Sequence, residues 1–189
     1  MRKLKLQMQS SINSFVAGPK GEMDWMTWDW DDEIKKYVME LTKPVDCILL
    51  GANLAKGFID HWAAAVNDPA QAGEFPDMMN DRKKIVFSKS ITEHKWERTT
   101  IAKGDLVDEV NKLKNQDGGD LITYGGAGFA TSLIKANLID EYHLFVNPAV
   151  IDNGMTIFNG VGNTKRFELV KSQAFPCGIV VLNYKPKQG

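Results

Sequence analysis

The amino-acid sequence predicts one α/β domain over residues 1–189, with a mostly parallel sheet that finishes in antiparallel strands. Three observations carry this. Short apolar runs alternate with amphipathic helical stretches as far as Pro148. Two of those runs, Cys47-Ile48-Leu49-Leu50 and Leu121-Ile122-Thr123-Tyr124, lead directly into glycine before a helix. Beyond Pro148 only short strands remain, with no helix between them. A strand–helix–strand rhythm returns successive strands in the same direction, whereas strands joined by turns pair antiparallel.

The first strand runs from Lys3 to Ile12, where Leu4, Leu6 and Met8 alternate with Lys3, Lys5 and Gln7. Such alternation predicts one face on the core and one off it. Residues 14–32 form a long loop with Gly18-Pro19, Gly21, Trp25, Trp28 and Trp30. Asp31-Asp32-Glu33 opens a helix with the stripe Ile34, Tyr37, Val38 and Leu41; its acids complement the positive helix end, and Pro44 closes it. Cys47 to Leu50 suits a strand buried on both faces, and a helix bearing Leu54, Phe58 and Trp62 follows Gly51. Asn67 to Asp81, with Pro69, Gly73 and Pro76, is expected to be a surface loop.

Lys84 to Phe87 is the third strand and Trp96 to Ile101 the fourth. Asp105 to Asn115 is an amphipathic helix ended by Gly118-Gly119, and Leu121 to Tyr124 is the fifth strand. A helix over Phe129 to Ala136 and a sixth strand over Glu141 to Val150 complete the alternating part. The late strands are Thr156 to Phe158, Phe167 to Ser172 and Ile179 to Tyr184.

A chain of 189 residues that is 43% hydrophobic can build its core without disulfide or metal staples. The net charge of −1, from 23 basic and 24 acidic residues, speaks against a nucleic-acid or membrane partner. Cys47 and Cys177 allow at most one disulfide, and Cys47 in its apolar run is expected as a reduced, buried thiol. Met1-Arg2-Lys3-Leu4-Lys5 lacks a signal-peptide core, and no apolar stretch approaches the ~20 residues that cross a bilayer. The expectation is a soluble, cytoplasmic protein that acts on a small molecule.

In open parallel sheets, ligands bind beyond the carboxyl ends of the strands. The chemistry-bearing features fall there. Gly125-Gly126-Ala127-Gly128 joins a strand to a helix, where glycine lets the backbone approach a ligand and helix-start N–H groups face an anion. Its spacing matches neither G-x-G-x-x-G nor the P-loop, and a plain tight turn is the other reading. Gly51-Ala52-Asn53 is a second such junction. Ser88-Lys89-Ser90 is a third polar strand end, with a solvated turn as its alternative.

Trp28 and Trp30 stand beside Asp31, Asp32 and Glu33, a combination that can stack a planar heterocycle while an acid orients or protonates it. Packing of the indoles and ordinary helix-start charges are the alternatives. His61, His94 and His143 show no metal spacing, and there is no G-x-S-x-G, so neither a metal nor a nucleophile elbow is expected.

With these features placed, the chain resembles the dihydrofolate reductase-like superfamily, and in particular the C-terminal reductase domain of the bifunctional riboflavin biosynthesis deaminase-reductase. The resemblance runs through Gln9 to Ala17, Cys47 to Gly51 and Lys84 to Ser88. Its most specific part is Tyr124-Gly125-Gly126-Ala127-Gly128-Phe129, then Leu133, Leu138-Ile139-Asp140-Glu141-Tyr142-His143-Leu144 and Asn147-Pro148. It implies a three-layer α/β/α fold, NADPH as cofactor, a homodimer, and hydride transfer to a small heterocyclic or carbonyl substrate such as 5-amino-6-(5-phosphoribosylamino)uracil. The implied cofactor positions are Gly51, Ala52, Asn53, Ser88, Lys89, Gly125, Gly126, Ala127, Gly128 and Phe129, with Val16 and Ala17 beside the nicotinamide. True dihydrofolate reductases carry a carboxylate on the helix after the first loop. That implies one of Asp31, Asp32 and Glu33, above all Asp32, as the catalytic acid, with Trp28 and Trp30 at the substrate.

The chain also departs from that pattern. Riboflavin-pathway reductases usually carry Ser-Leu-Asp-Gly where Ser11-Ile12-Asn13-Ser14 stands here, and Asn13, the third candidate catalytic residue, can hydrogen-bond but supplies no proton at neutral pH. Ala52 replaces the usual Arg, which leaves Lys89 or Lys56 to meet the 2′-phosphate of NADPH. The usual Gly-x-Gly appears as Asp152-Asn153-Gly154. Two further readings are a nucleotide-binding relative with altered catalysis and a true dihydrofolate reductase.

Overall fold

The computed structural model describes residues 1–187. Its strands are β1 (Leu4–Ser10), β2 (Val45–Gly51), β3 (Lys83–Phe87), β4 (Thr99–Ala102), β5 (Asp120–Thr123), β6 (Glu141–Val146), β7 (Phe167–Ala174) and β8 (Val180–Pro186). Its helices are α1 (Asp32–Thr42), α2 (Ala52–Ala65), α3 (Glu74–Asp81), α4 (Leu106–Lys114) and α5 (Ala127–Lys135). The strands form one sheet in the order β4-β3-β2-β5-β1-β6-β8-β7. From β4 across to β6 every pairing is parallel, while β8 runs antiparallel to both β6 and β7. This is the predicted sheet.

Helices cover both faces. Leu4, Leu6, Leu49 and Leu121 pack against Val110 and Leu113 of α4 and Ala130, Leu133 and Ile134 of α5. On the other face Ile48, Leu50, Ile122 and Phe145 meet Ile34, Val38 and Leu41 of α1, Ala55 and Ile59 of α2, and Met79 of α3. No helix among the described residues is long and apolar enough to cross a membrane.

Several sequence expectations are corrected. β1 is buried on both faces, because α1 covers the side that carries Lys5 and Gln7. Lys5 tolerates this because its ammonium reaches Asp120 at 2.9 Å. Alternation therefore marked a change of chemistry between faces, not of exposure. The expected loop over 67–81 contains α3, whose Met79 is fully buried. Pro76 falls in its first turn, where a missing N–H breaks no helical bond. β4 begins at Thr99 instead of Trp96, after Arg98 at a φ of 52° interrupts the extended backbone. β6 stops at Val146, where the Asn147 side chain bonds the Phe145 carbonyl and Pro148 has no N–H to donate. Residues 156–158 form no strand: Ile157 is buried, but its carbonyl is taken by the Thr131 hydroxyl at 3.1 Å.

The specific Ile139-Asp140-Glu141 stretch is architectural. Ile139 is core, the Asp140 carboxylate accepts the Leu4 N–H at 2.7 Å and pairs with Lys114, and Glu141 pairs with Lys3 at 2.7 Å. Further along the α1-covered face, the Tyr37 hydroxyl lies 2.8 Å from His143 Nδ1, and burial pushes Tyr37 up to about 12. His143, with Nε2 at 3.6 Å, and the Lys3 ammonium together draw Glu141 down to about 2. Cys47 is a free, buried thiol pushed up to about 11 by that burial, which makes it a core residue.

Candidate functional site

The helices start in three ways: α1 and α4 with a side-chain cap and acids, α3 at Gly73 with acids but no side-chain cap, and α2 and α5 with neither. Asp31 caps α1 by accepting the N–H groups of Glu33 at 2.9 Å and Ile34 at 3.0 Å, and Asp105 caps α4 by accepting those of Val107 at 2.8 Å and Asp108 at 3.2 Å. Acids follow in both first turns, and Glu74 and Asp77 lie in the first turn of α3. α2 and α5 start instead at Gly51 and Gly126, with no side-chain cap and no acid in the first turn. Such a start leaves N–H donors and the positive end of the helix dipole open to an external anion.

These two open starts are neighbours. A Cβ on Gly51 would lie 2.6 Å from the Cβ of Phe129, and one on Gly126 would lie 3.7 Å from the Cβ of Leu54. Phe129 also packs on Phe87 at the end of β3, ring centroids 5.1 Å apart. Gly125 and Gly126 take φ values of 118° and 77°, a conformation that strains any residue with a side chain. The fold thus gathers Gly51, Ala52, Asn53, Gly125, Gly126, Ala127, Gly128 and Phe129 at one patch of the carboxyl edge.

At the end of β3 the Ser88 hydroxyl accepts the N–H groups of Ser90 at 3.2 Å and Ile91 at 3.0 Å, so it is committed to its own turn. Lys56 pairs with Asp60 at 2.6 Å, and that hydrogen-bonded pairing raises the lysine and lowers the acid. Lys89 is exposed and makes no ion pair among the described residues. Of the two lysines read from the sequence, Lys89 is the one without an ion pair among the described residues.

The loop after β1 is strapped to the loop after β6. The Val16 N–H donates to the Met155 carbonyl at 2.8 Å, and the Met155 N–H to the Ala17 carbonyl at 2.8 Å. Gly154 has to be glycine here, since a Cβ would run into the Ala17 carbonyl. Asn13 belongs to the same strap: its Nδ2 donates to the Ile151 carbonyl at 2.7 Å, and its Oδ1 accepts the Ser11 hydroxyl at 2.8 Å. Its side chain is exposed but already hydrogen-bonded at both ends of its amide.

The two carboxylates are placed differently from the sequence expectation. Asp32 projects into solvent, 3.8 Å from Lys35 on the next turn. Asp31 is occupied by the α1 cap and by the Cys177 N–H at 2.9 Å. Partial desolvation pushes Asp31 up, but the N–H bonds from Ile34, Cys177 and Glu33 outweigh it and hold the carboxyl below its ordinary value. Trp30 stacks on Phe145 with centroids 6.2 Å apart, whereas Trp28 is 61% exposed. Trp28, Trp30, Asp31, Lys35 and Cys177 line a shallow, open cavity of about 540 Å³. Among the described residues no group of three His, Cys, Asp or Glu is arranged to hold a metal.

Sequence reasoning gave no role to Asn147. This buried residue joins β6, β1 and the tryptophan loop through its amide. The available signal was an Asn-Pro pair directly after a strand.

The model of the RibD C-terminal domain family matches residues 2–181. The chain is 30% identical over 187 residues to the uncharacterized protein YyaP of Bacillus subtilis (strain 168), covering 97% of this chain and 94% of that one. Among solved structures it is similar to a protein of Shewanella sp. PV-4 named for riboflavin biosynthesis, with a TM-score of 0.75, 20% identity and full coverage of both chains. It is also similar to the diaminohydroxyphosphoribosylaminopyrimidine deaminase/5-amino-6-(5-phosphoribosylamino)uracil reductase of Thermotoga maritima, with a TM-score of 0.68 and 17% identity. That match covers 98% of this chain and 57% of the longer one.

Proposed function

The chain belongs to the RibD C-terminal domain family, within the dihydrofolate reductase-like superfamily, and on that premise we propose that it is an NADPH-dependent reductase of a small heterocyclic or carbonyl compound. The observation that carries the reading is the pair of open helix starts, α2 and α5, meeting over a glycine-only approach. Two converging sets of N–H donors suit the paired phosphates of a dinucleotide.

In this reading Gly51, Ala52 and Asn53 with Gly125 to Phe129 hold the pyrophosphate through backbone N–H groups. Lys89 meets the adenosine-side phosphate, and Ser88 shapes the turn that presents it. Val16 and Ala17, fixed by the strap, wall the nicotinamide. When bound, the cofactor supplies the hydride. Trp28 offers its exposed face to a planar substrate, and Asp31 acts by holding that loop on α1 instead of delivering a proton. The homodimer belongs to the same proposal; Leu169 and Val170, about half exposed on edge strand β7, offer a surface for it, and sedimentation checks it.

Isothermal calorimetry with NADPH and NADH is the direct test. Binding of NADPH in preference to NADH is expected, with the preference reduced in Lys89→Ala. Folded protein that binds neither dinucleotide would overturn the reading. The commitments of Asn13 and Asp31 and the outward turn of Asp32 favour one second reading, a nucleotide-binding relative with altered chemistry. It predicts NADPH binding without oxidation across a panel of pteridines, pyrimidines and quinones.

A further inference from the structure

We propose that Asn147 is a positioning residue that ties the tryptophan loop to the carboxyl edge of the sheet and so keeps the aromatic cavity aligned with the glycine patch. The functional part of this inference rests on the reductase reading; the tether itself does not.

Asn147 is fully buried and uses both ends of its amide. Its Nδ2 donates to Gln9 Oε1 at 2.8 Å, to the Phe145 carbonyl at 3.1 Å and to the Ser10 carbonyl at 3.4 Å. Its Oδ1 accepts the Thr27 N–H at 2.9 Å. Three oxygens on one side and an N–H on the other fix the orientation of the amide. Aspartate could accept from Thr27 but would turn an oxygen towards three others, and leucine would serve neither side.

The Thr27 bond is singular. Among the described residues, the other hydrogen bonds made by residues 18–30 are local: Gly18 with Glu22, Lys20 with Glu22, Gly21 with Gly18, Trp25 with Glu22, Met26 with Met23, and Trp30 with Trp28 and Thr27. Thr27 to Asn147 is the one that leaves this segment for the sheet. The Thr27 carbonyl in turn accepts Trp30 Nε1 at 2.9 Å, and Trp30 stacks on Phe145, two residues before Asn147. The Asn147 backbone N–H meanwhile donates to the Ser10 carbonyl at 2.7 Å, at the point where β1 enters the strapped loop. One amide therefore connects the indoles, the end of β1 and the end of β6.

The test is hydrogen exchange of the Thr27 amide, followed by NMR as a function of pH in wild type and N147D; Thr27→Pro, which has no amide there, is read through NADPH. Wild type should protect this amide throughout the neutral range, and an unprotected Thr27 amide there overturns the tether outright. In N147D the buried carboxyl faces three oxygens and takes up a proton. Protection should therefore survive at acid pH and fall by roughly tenfold or more as the pH rises, at Thr27 but not at the core amides of β2; a general defect would lower both. N147D that protects Thr27 at neutral pH as well as wild type does refutes the proposal. Thr27→Pro removes the donor from the loop side and leaves the buried amide intact, so it covers the case in which N147D does not fold.

NADPH provides the second readout. Both variants should bind it within about twofold of wild type by calorimetry, yet lose the share of the energy transfer to the bound dihydronicotinamide that comes from Trp28 and Trp30. Unchanged energy transfer in a Thr27→Pro variant with full affinity also defeats the positioning role. Wild type that protects Thr27 but binds no dinucleotide would retire the reductase reading and leave the tether standing.

Discussion

The capped helices α1 and α4 and the open helices α2 and α5 belong to one sheet and differ most in how they begin. Asp31 and Asp105 satisfy the first N–H groups of their helices internally, and the acids behind them neutralise the dipole. α2 and α5 forgo that stabilisation, worth about 1 kcal/mol for a cap, at two junctions where Gly51 packs on Phe129 and Gly126 takes a positive φ. A missing cap on one helix is unremarkable. Two adjacent ones, over glycines whose Cβ positions are blocked or strained, are the observation on which the proposed dinucleotide site rests.

The strongest way to break that comparison is to close the open starts. Ala52→Asp and Ala127→Asp add an acid to each first turn, which should leave stability unchanged or raise it by up to about 1 kcal/mol. NADPH affinity should fall by about a hundredfold or more, roughly 3 kcal/mol. Calorimetry that finds equal affinity would show the open ends to be idle. Next in size is Gly51→Ala. Its new methyl meets the Phe129 Cβ at 2.6 Å, so β2 and α5 must separate. A loss of about 1–3 kcal/mol in urea unfolding is expected, together with weaker NADPH binding.

On the capped side, Asp31→Ala should cost about 1–2 kcal/mol, because it orphans the N–H groups of α1 and of Cys177, while NADPH affinity stays at the wild-type value. Asp32→Asn, one residue away and fully solvated, should change stability by less than about 0.5 kcal/mol. A large effect of Asp32→Asn on NADPH oxidation would return that carboxylate to the chemistry.

A last expected effect, outside that ranking, is a pH dependence remote from the site. Lys84 is buried, and its ammonium donates to the Asn80 carbonyl at 2.6 Å and the Arg82 carbonyl at 2.9 Å at the end of α3. Burial, helped by Arg98, pushes it down to about 8 from an ordinary 10.5. Between those values the unfolded chain binds more protons than the folded one, so unfolding free energy should rise as pH goes from about 8 to 10.5. Lys84→Met should flatten that rise in chemical denaturation, and an unchanged slope would assign it to another group.

The fold was largely legible because its signals are local. Apolar runs of strand length, acidic helix starts and glycines after Leu50 and Tyr124 each announce an element without reference to the rest of the chain. The failures have physical causes as well. Gly73 and Pro76 were read as breakers, yet proline in a first turn is compatible with a helix, and Met79 on that helix fills the core. Lys5 and Gln7 looked solvent-facing because sequence reports polarity, while their burial depends on where α1 lies.

For the candidate site the division is sharper. The sequence alone determined the residue types at the strand ends: glycines where the backbone must approach or turn, small residues at the starts of α2 and α5, and aspartates at the starts of α1 and α4. It did so because caps and turns are chemistry between residues a few positions apart. Only the tertiary structure decided which of these meet, since Gly51 and Phe129 lie far apart in sequence and are brought together by the insertion of β5 beside β2. It also decided that Asn13 and Asp31 are spent on loop bonds, that Asp32 faces water, and that Asn147, seen in the sequence only as half of an Asn-Pro pair, gathers three segments through a single amide. A side chain's type is written locally; whether its hydrogen bonds are already taken depends on long-range contacts that no local pattern encodes.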